Sequence, residues 1–301
     1  MLTRMMPRPR TVPFLLPQGF FDLAYVEWGP PTGVPVVCAH GLTRNARDFD
    51  PLARALAQAG RRVVAVDFPG RGHSAWLPDP ALYSYPVYLG ALSALIARLD
   101  APVVDWIGTS MGGLAGMMLA AQPGTPVARM VVNDVGPFIP RSALERIAAY
   151  VGKAPRFATL AEVEAYLRVV AAPFGPLSDA QWRHLAEHGA VRDGTSWRLA
   201  YDPSIAAAFQ AGPIADVDLW AVWERVRCPV LLIRGATSDL LTADTAAEMG
   251  RRGGATLRSV TFSGCGHAPA LMADDQIAAI AAFLGDPFVQ PRSASAASSA
   301  K

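Results

Sequence analysis

The sequence predicts an α/β fold in which a largely parallel sheet is covered on both faces by helices. Strand-like apolar runs alternate with helix-like stretches over residues 20–135 and again over residues 228–285, the pattern of a parallel sheet with crossover helices. Several of these runs end in glycine-rich or polar turns, which would lie at the carboxyl edge of the sheet, where open α/β sheets carry their sites. The chain has 301 residues, 51% of them hydrophobic and 17% charged, enough to bury a large single core.

Residues 1–19 carry Arg4, Arg8 and Arg10 before an apolar patch at residues 12–16. That patch is too short and too proline-broken for a signal peptide, and a flexible arm is expected. Residues 21–28 are expected to form an antiparallel edge. The run Val36-Val37-Cys38-Ala39 is read as a buried strand that ends in His40-Gly41-Leu42, and a helix is expected over residues 50–59. A second run, Val63-Val64-Ala65-Val66, leads into Asp67-Phe68-Pro69-Gly70-Arg71-Gly72-His73-Ser74, followed by a helix over 85–99. The run at 103–107 enters Gly108-Thr109-Ser110-Met111-Gly112, with a helix over 114–121. Residues 103–121 are apolar enough to suggest a membrane span, yet they contain Asp105, Thr109, Ser110 and several glycines, and they divide into a buried strand and a buried helix.

Another apolar run ends at Asn133-Asp134. The strand pattern is then lost over residues 136–227, where helices are expected at 142–151, 160–171 and 178–188, as in a helical cap inserted in the core. This segment is rich in aromatic residues, enough to line an apolar pocket. Strands return at 229–235 and 259–262, with a last helix over 274–284. Residues 286–301 are rich in proline, serine and alanine and are expected to be a disordered tail.

The stretch around Ser110 is the most informative. A strand running into Gly-x-Ser-x-Gly and then a helix is a nucleophile elbow, a sharp turn whose backbone is strained and whose glycines leave room where a side chain would collide. An oxyanion formed at Ser110 would meet the amide of Met111 and the positive end of the following helix, and the amide of Leu42 is the expected second donor. Asp239 follows the strand at 229–235 and His267 follows the strand at 259–262. The chain order Ser110, Asp239, His267 is that of a triad on such a sheet. Asp134 also follows an apolar run and is the alternative acid.

These motifs together resemble the α/β-hydrolase superfamily, capped serine hydrolases of the esterase and C-C hydrolase type, over residues 21–284. The resemblance implies a mostly parallel eight-stranded sheet flanked by helices, with the cap above it. It implies Ser110 as nucleophile, His267 as general base and then acid, and Asp239 as the carboxylate orienting His267. Haloalkane dehalogenases and most epoxide hydrolases of the fold carry aspartate at the elbow, so a serine there argues against both. The implied activity is hydrolysis of a carboxylic ester through an acyl-enzyme, on a small to medium, partly apolar substrate, with hydroxyalkanoate oligomers among those the resemblance allows. Two alternatives are a C-C hydrolase acting on a vinylogous diketone acid and a non-catalytic small-ligand-binding protein.

Other polar residues have plainer readings. His40 is expected to shape the oxyanion loop, and His73 and Asp67 to be structural. Arg44 could bind a substrate carboxylate or pair with Asp48. His184 and His188 lie four apart, the spacing of a metal pair on a helix, but no third ligand is evident in the sequence and a solvated helix face is expected, with no metal. The net charge of +2, without basic runs interleaved with aromatics, offers no nucleic-acid surface. No phosphate-binding glycine loop opens a dinucleotide unit, so no cofactor is expected. The cysteines Cys38, Cys228 and Cys265 form neither an even set nor a close pair, as expected in a reducing, cytoplasmic setting, and Cys265 is given no catalytic role. Acyl length and oligomeric state stay open.

Overall fold

The computed structural model describes residues 6–285. The residues expected to form a disordered tail, 286–301, lie outside that range. In chain order the elements are β1 (Arg8–Leu16), β2 (Gly19–Trp28), β3 (Pro35–Ala39), α1 (Asp50–Gln58), β4 (Arg62–Val66), α2 (Tyr85–Arg98), β5 (Val104–Thr109), α3 (Met111–Ala120) and β6 (Val127–Asn133). The segment that follows holds β7 (Phe138–Ile139), α4 (Arg141–Ala148), β8 (Arg156–Phe157), α5 (Leu160–Val170), α6 (Asp179–Gly189), β9 (Ala190–Asp193), β10 (Ser196–Leu199), β11 (Val217–Asp218) and α7 (Trp220–Trp223). The chain then returns to the main sheet with β12 (Val230–Gly235), α8 (Ala243–Arg252), β13 (Leu257–Phe262) and α9 (Asp274–Gly285).

The main sheet has eight strands in the order β1-β2-β4-β3-β5-β6-β12-β13. Strand β2 runs antiparallel to both of its neighbours, and the pairs from β4 to β13 are parallel. The central strands are apolar at almost every position because the sheet is covered on both faces. Val37 and Ala39 of β3 join one core with α2 and α3, while Val36 and Cys38 join the other with α1 and α9. The same period-two division separates Val64 and Val66 from Val63 and Ala65 in β4. A charged pair also lies within the sheet: Asp105 of β5 accepts from Arg129 of β6 at 2.9 and 2.8 Å, and from Arg61.

Two expectations are corrected. Residues 8–16 of the expected amino-terminal arm are the edge strand β1, which pairs with β2 over its full length. Val12, Phe14 and Leu16 alternate into the core, and prolines at 9 and 13 are tolerated because an edge strand has one side free of ladder bonds. The segment at 136–227 is not purely helical, since it carries a three-stranded sheet, β8-β10-β9, and a β11-β7 pair. Strands of two to four residues are too short to register as an alternating pattern. Helices α5 and α6 close their own small core around Val163, Leu167, Trp182 and Leu185. No helix among the described residues is long and apolar enough to cross a membrane.

Candidate active site

Ser110 sits between β5 and α3 with φ 53° and ψ −116°, a conformation that a residue with a side chain rarely adopts. Its surroundings hold it there. The Ser110 amide donates to the Asn133 carbonyl at 2.9 Å, and its own carbonyl accepts from Gly113 and Leu114 at 2.8 and 3.0 Å. A Cβ on Gly108 would lie 2.3 Å from the Gly112 carbonyl oxygen, and one on Gly112 would lie 2.0 Å from that of Ala39. Both glycines of the motif are therefore required by close backbone approach.

His267 lies in the loop after β13, with Nε2 3.0 Å from Ser110 Oγ and Nδ1 2.9 Å from Asp134 Oδ2. A carboxylate opposite Nδ1 assigns the proton to that nitrogen and leaves the Nε2 lone pair facing the serine hydroxyl. Asp134 follows β6 with φ 56° and is fully buried. Its Oδ1 accepts from the Gly235 amide at 2.7 Å, and its Oδ2 also accepts from the Ser238 hydroxyl at 2.6 Å. Three donors thus converge on one carboxylate and fix its orientation.

Asp239, the expected acid, is elsewhere. It is half exposed and forms a two-point pair with Arg146 of α4, at 2.5 and 2.9 Å. Strands β6 and β12 are neighbours in the sheet, so the loops after both reach toward the same histidine. The residue that the β12 loop presents to the histidine's partner is Ser238, one position before Asp239. Ser238 and Asn133 were not among the sequence candidates. The one signal for Ser238 is a small polar residue in the short turn after an apolar strand.

The loop after β3, where the second oxyanion donor is expected, is built on buried polar contacts. His40 Nδ1 bonds to the Gly41 carbonyl at 2.6 Å and Nε2 accepts from the Phe68 amide at 3.0 Å, while burial pushes the ring down to about 3. Arg71, fully buried, donates to the carbonyls of Leu42 and Pro69 at 2.9 and 2.7 Å and to the Tyr88 hydroxyl at 2.8 Å. A Cβ on Gly41 would stand 3.7 Å from that of Ser110, which brings the loop against the serine. Asp67 accepts from the amides of Ala46 and His73, tying neighbouring turns together, and burial raises it to about 6.

Arg44 does not face the substrate space. Its guanidinium is committed to Asp48 by two bonds of 2.7 Å, and it packs over the Phe174 ring. The cavity onto which Ser110 opens, about 990 Å³, is lined instead by Leu42, Met111, Tyr85 and Met118 and, from the inserted segment, Ile147 and Phe209 among others. Among the described residues that line it there is no Asp, Glu, Lys, Arg or His. His184 and His188 are not on a solvated face either, because α6 packs against the turn at Ala46–Phe49 and the start of α1.

A serine whose hydroxyl faces a partly buried histidine, itself paired with a buried carboxylate, under an apolar cavity defines a serine hydrolase by geometry. Residues 36–281 match the Alpha/beta hydrolase family, and the chain belongs to it. It is 45% identical over 284 residues to a 3-hydroxybutyrate-oligomer hydrolase of Cupriavidus necator, across 90% of this chain and 96% of that protein. An esterase of Mycobacterium tuberculosis is 29% identical over 243 residues, 76% of this chain and 75% of its own. Among solved structures, a putative hydrolase from Rickettsia typhi superposes with a TM-score of 0.86 at 31% identity, covering 93% of this chain and 98% of that one. The chain is an ester-cleaving serine hydrolase.

Proposed function

We propose that Ser110, His267 and Asp134 are the catalytic triad of an esterase that cleaves short hydroxyalkanoate oligomers, with 3-hydroxybutyrate oligomers as the reference substrate. His267 Nε2 takes the proton of Ser110 as Oγ attacks the ester carbonyl, and Asp134 stabilises the imidazolium. The amides of Leu42 and Met111 receive the oxyanion, aided by the positive end of α3. The same imidazolium protonates the leaving alkoxide, and His267 then activates water against the acyl-enzyme. Residues 136–227 act as the cap domain, residues 20–135 and 228–285 as the core.

The observation that carries this reading is the unbroken Ser110, His267 and Asp134 chain beneath a cavity with no charged lining, a space suited to a neutral polyester segment. The 45% identity to an oligomer hydrolase supports the substrate class. The committed Arg44 removes the group that a diketone-acid reading relied on. Three buried free thiols support a cytoplasmic setting.

The test is hydrolysis of 3-hydroxybutyrate dimer, trimer and tetramer beside a graded series of chromogenic acyl esters, with wild type and Ser110→Ala. Oligomer cleavage that falls on the order of a million-fold in kcat with Ser110→Ala is the expected outcome. Turnover of simple esters without turnover of any oligomer would overturn the substrate class and leave the triad standing.

A further inference from the structure

We infer that Asp50, His184 and His188 form a binding site for a first-row divalent transition metal ion, zinc being the reference, which clamps the cap to the core. The sequence supplies His184 and His188 four apart, on one face of α6. The fold supplies the third donor: Asp50, the first residue of α1, whose carboxylate is buried. Ligand atoms from all three residues lie within 4.8 Å of one another. His184 Nε2 and Asp50 Oδ2 are 3.6 Å apart. Tetrahedral zinc with ligand bonds of about 2.0–2.1 Å needs ligand atoms about 3.3 Å apart, so side-chain adjustments of about an ångström assemble the site. Two imidazoles and a carboxylate, with a position left for water, are a donor set that this class of ion takes in preference to calcium or magnesium.

The positions of the three donors are already set by contacts between the two parts of the chain. Asn45 Nδ2 donates to the His188 carbonyl at 2.8 Å, and His184 Nε2–H donates to the Arg47 carbonyl at 2.9 Å, a bond that places the ring beside Asp50 and that a metal on this nitrogen displaces together with its proton. Gln181, at the start of α6, donates to the Met272 carbonyl at 3.0 Å. Helix α6 is thereby held against the core along its length, and the imidazole pair is presented to Asp50 rather than to solvent. The competitor is Arg47, whose guanidinium reaches both Asp50 oxygens at 2.5 to 3.0 Å. Its side chain is about a quarter exposed, so it can turn outward when a dication takes Asp50 Oδ2. Metal and Arg47 therefore exclude each other at one carboxylate, and removing the arginine side chain strengthens the site.

The experiment is calorimetric titration of the full chain with zinc chloride, paired with thermal unfolding, for wild type, His184→Ala, His188→Ala and Arg47→Gln. Neither readout needs a substrate, so the result is independent of the ester chemistry. One zinc per chain is expected, with affinity lowered at least thirty-fold by either histidine substitution and raised several-fold by Arg47→Gln. At a hundred-fold excess over Kd the wild-type midpoint should rise by about 5 °C. Saturable binding that survives both histidine substitutions would place the metal elsewhere, for instance at His267, and overturn the assignment. Absence of binding in wild type and in Arg47→Gln would overturn it as well, and the zinc-free unfolding midpoint of each variant shows whether it is folded.

Discussion

Replacing Asp134 by Asn separates the two candidate acids more sharply than any other change. The Asp134 carboxylate takes three donors: the Gly235 amide at 2.7 Å, the Ser238 hydroxyl at 2.6 Å and His267 Nδ1 at 2.9 Å. Asn keeps the shape but has a single acceptor oxygen, and its amide group confronts at least one of these donors. The Gly235 amide and Ser238 are fixed by the β12 turn, so the ring yields: His267 moves its proton to Nε2 and loses the lone pair that faces Ser110. The loss of the proper tautomer in a serine triad costs about 10⁴ in kcat, or about 5.5 kcal/mol of transition-state stabilisation. Asp239→Asn breaks only a surface pair with Arg146, worth about 0–1 kcal/mol, and kcat should stay within a few-fold. The assay is steady-state hydrolysis of a chromogenic butyrate ester near pH 8, with circular dichroism to verify folding. A loss of a hundred-fold or more in Asp239→Asn, with Asp134→Asn within ten-fold of wild type, would refute the assignment.

Ser238→Ala removes a hydrogen bond to a buried carboxylate, so kcat should fall by about ten- to a hundred-fold with KM little changed, a split that stopped-flow and steady-state kinetics on the same ester resolve. Burial holds His40 down at about 3, against 6.5 for a free ring, so the folded chain binds fewer protons than the unfolded one between those values. Stability therefore falls as pH falls through 6.5 toward 3, by about 1.4 kcal/mol per pH unit from this group. His40→Gln should flatten the urea stability profile near pH 5 by that slope, and an unchanged slope would show that the ring titrates normally. Burial raises Asp67 to about 6, which acts in the opposite sense, with stability lost as pH rises through that value; it is common to both proteins and cancels in the difference. With no charged residue among the described residues that line the cavity, the terminal carboxylate of an oligomer should stay at its mouth, so the methyl ester of 3-hydroxybutyrate trimer should be cleaved with kcat/KM at least equal to that of the free acid. Arg44→Gln should shift KM for either by less than about three-fold, because that guanidinium already belongs to Asp48.

The parts of the fold that could be read from the chain are those whose signal is local. The β3, β4 and β5 runs are apolar because both of their faces are covered, and Gly108 and Gly112 are glycine because backbone oxygens lie within 2.3 Å of where a side chain would begin. These are properties of a dozen consecutive residues. The edge strand β1 was hidden by its prolines, which only an unpaired side can accommodate, and that side exists only once β2 is in place. Asp50 is invisible as a partner of His184 because 134 residues separate them and nothing near Asp50 marks it as other than a helix-start acid. The choice between Asp134 and Asp239 depends on the adjacency of β6 and β12, together with which residue of the Ser238-Asp239 pair turns inward.

That choice has a consequence for the cap. With the acid placed just after β6, as proposed, the loop after β12 need not carry the catalytic carboxylate, and its Ser238 and Asp239 point in opposite directions. Ser238 points inward and steadies Asp134, while Asp239 points outward and takes Arg146. Arg146 lies on α4, and the same helix presents Leu144 and Ile147 to the cavity above Ser110. The ion pair therefore joins a wall of the cavity to the loop that braces Asp134. Its exposure limits it to about 1 kcal/mol, enough to bias the position of α4 but too little to lock it. Asp239→Asn should accordingly leave the chemistry at Ser110 intact and act on α4, raising KM for the longer oligomers by up to about five-fold while kcat for a short butyrate ester hardly changes. A matched rise in KM for short and long substrates would mean that α4 does not sense the pair.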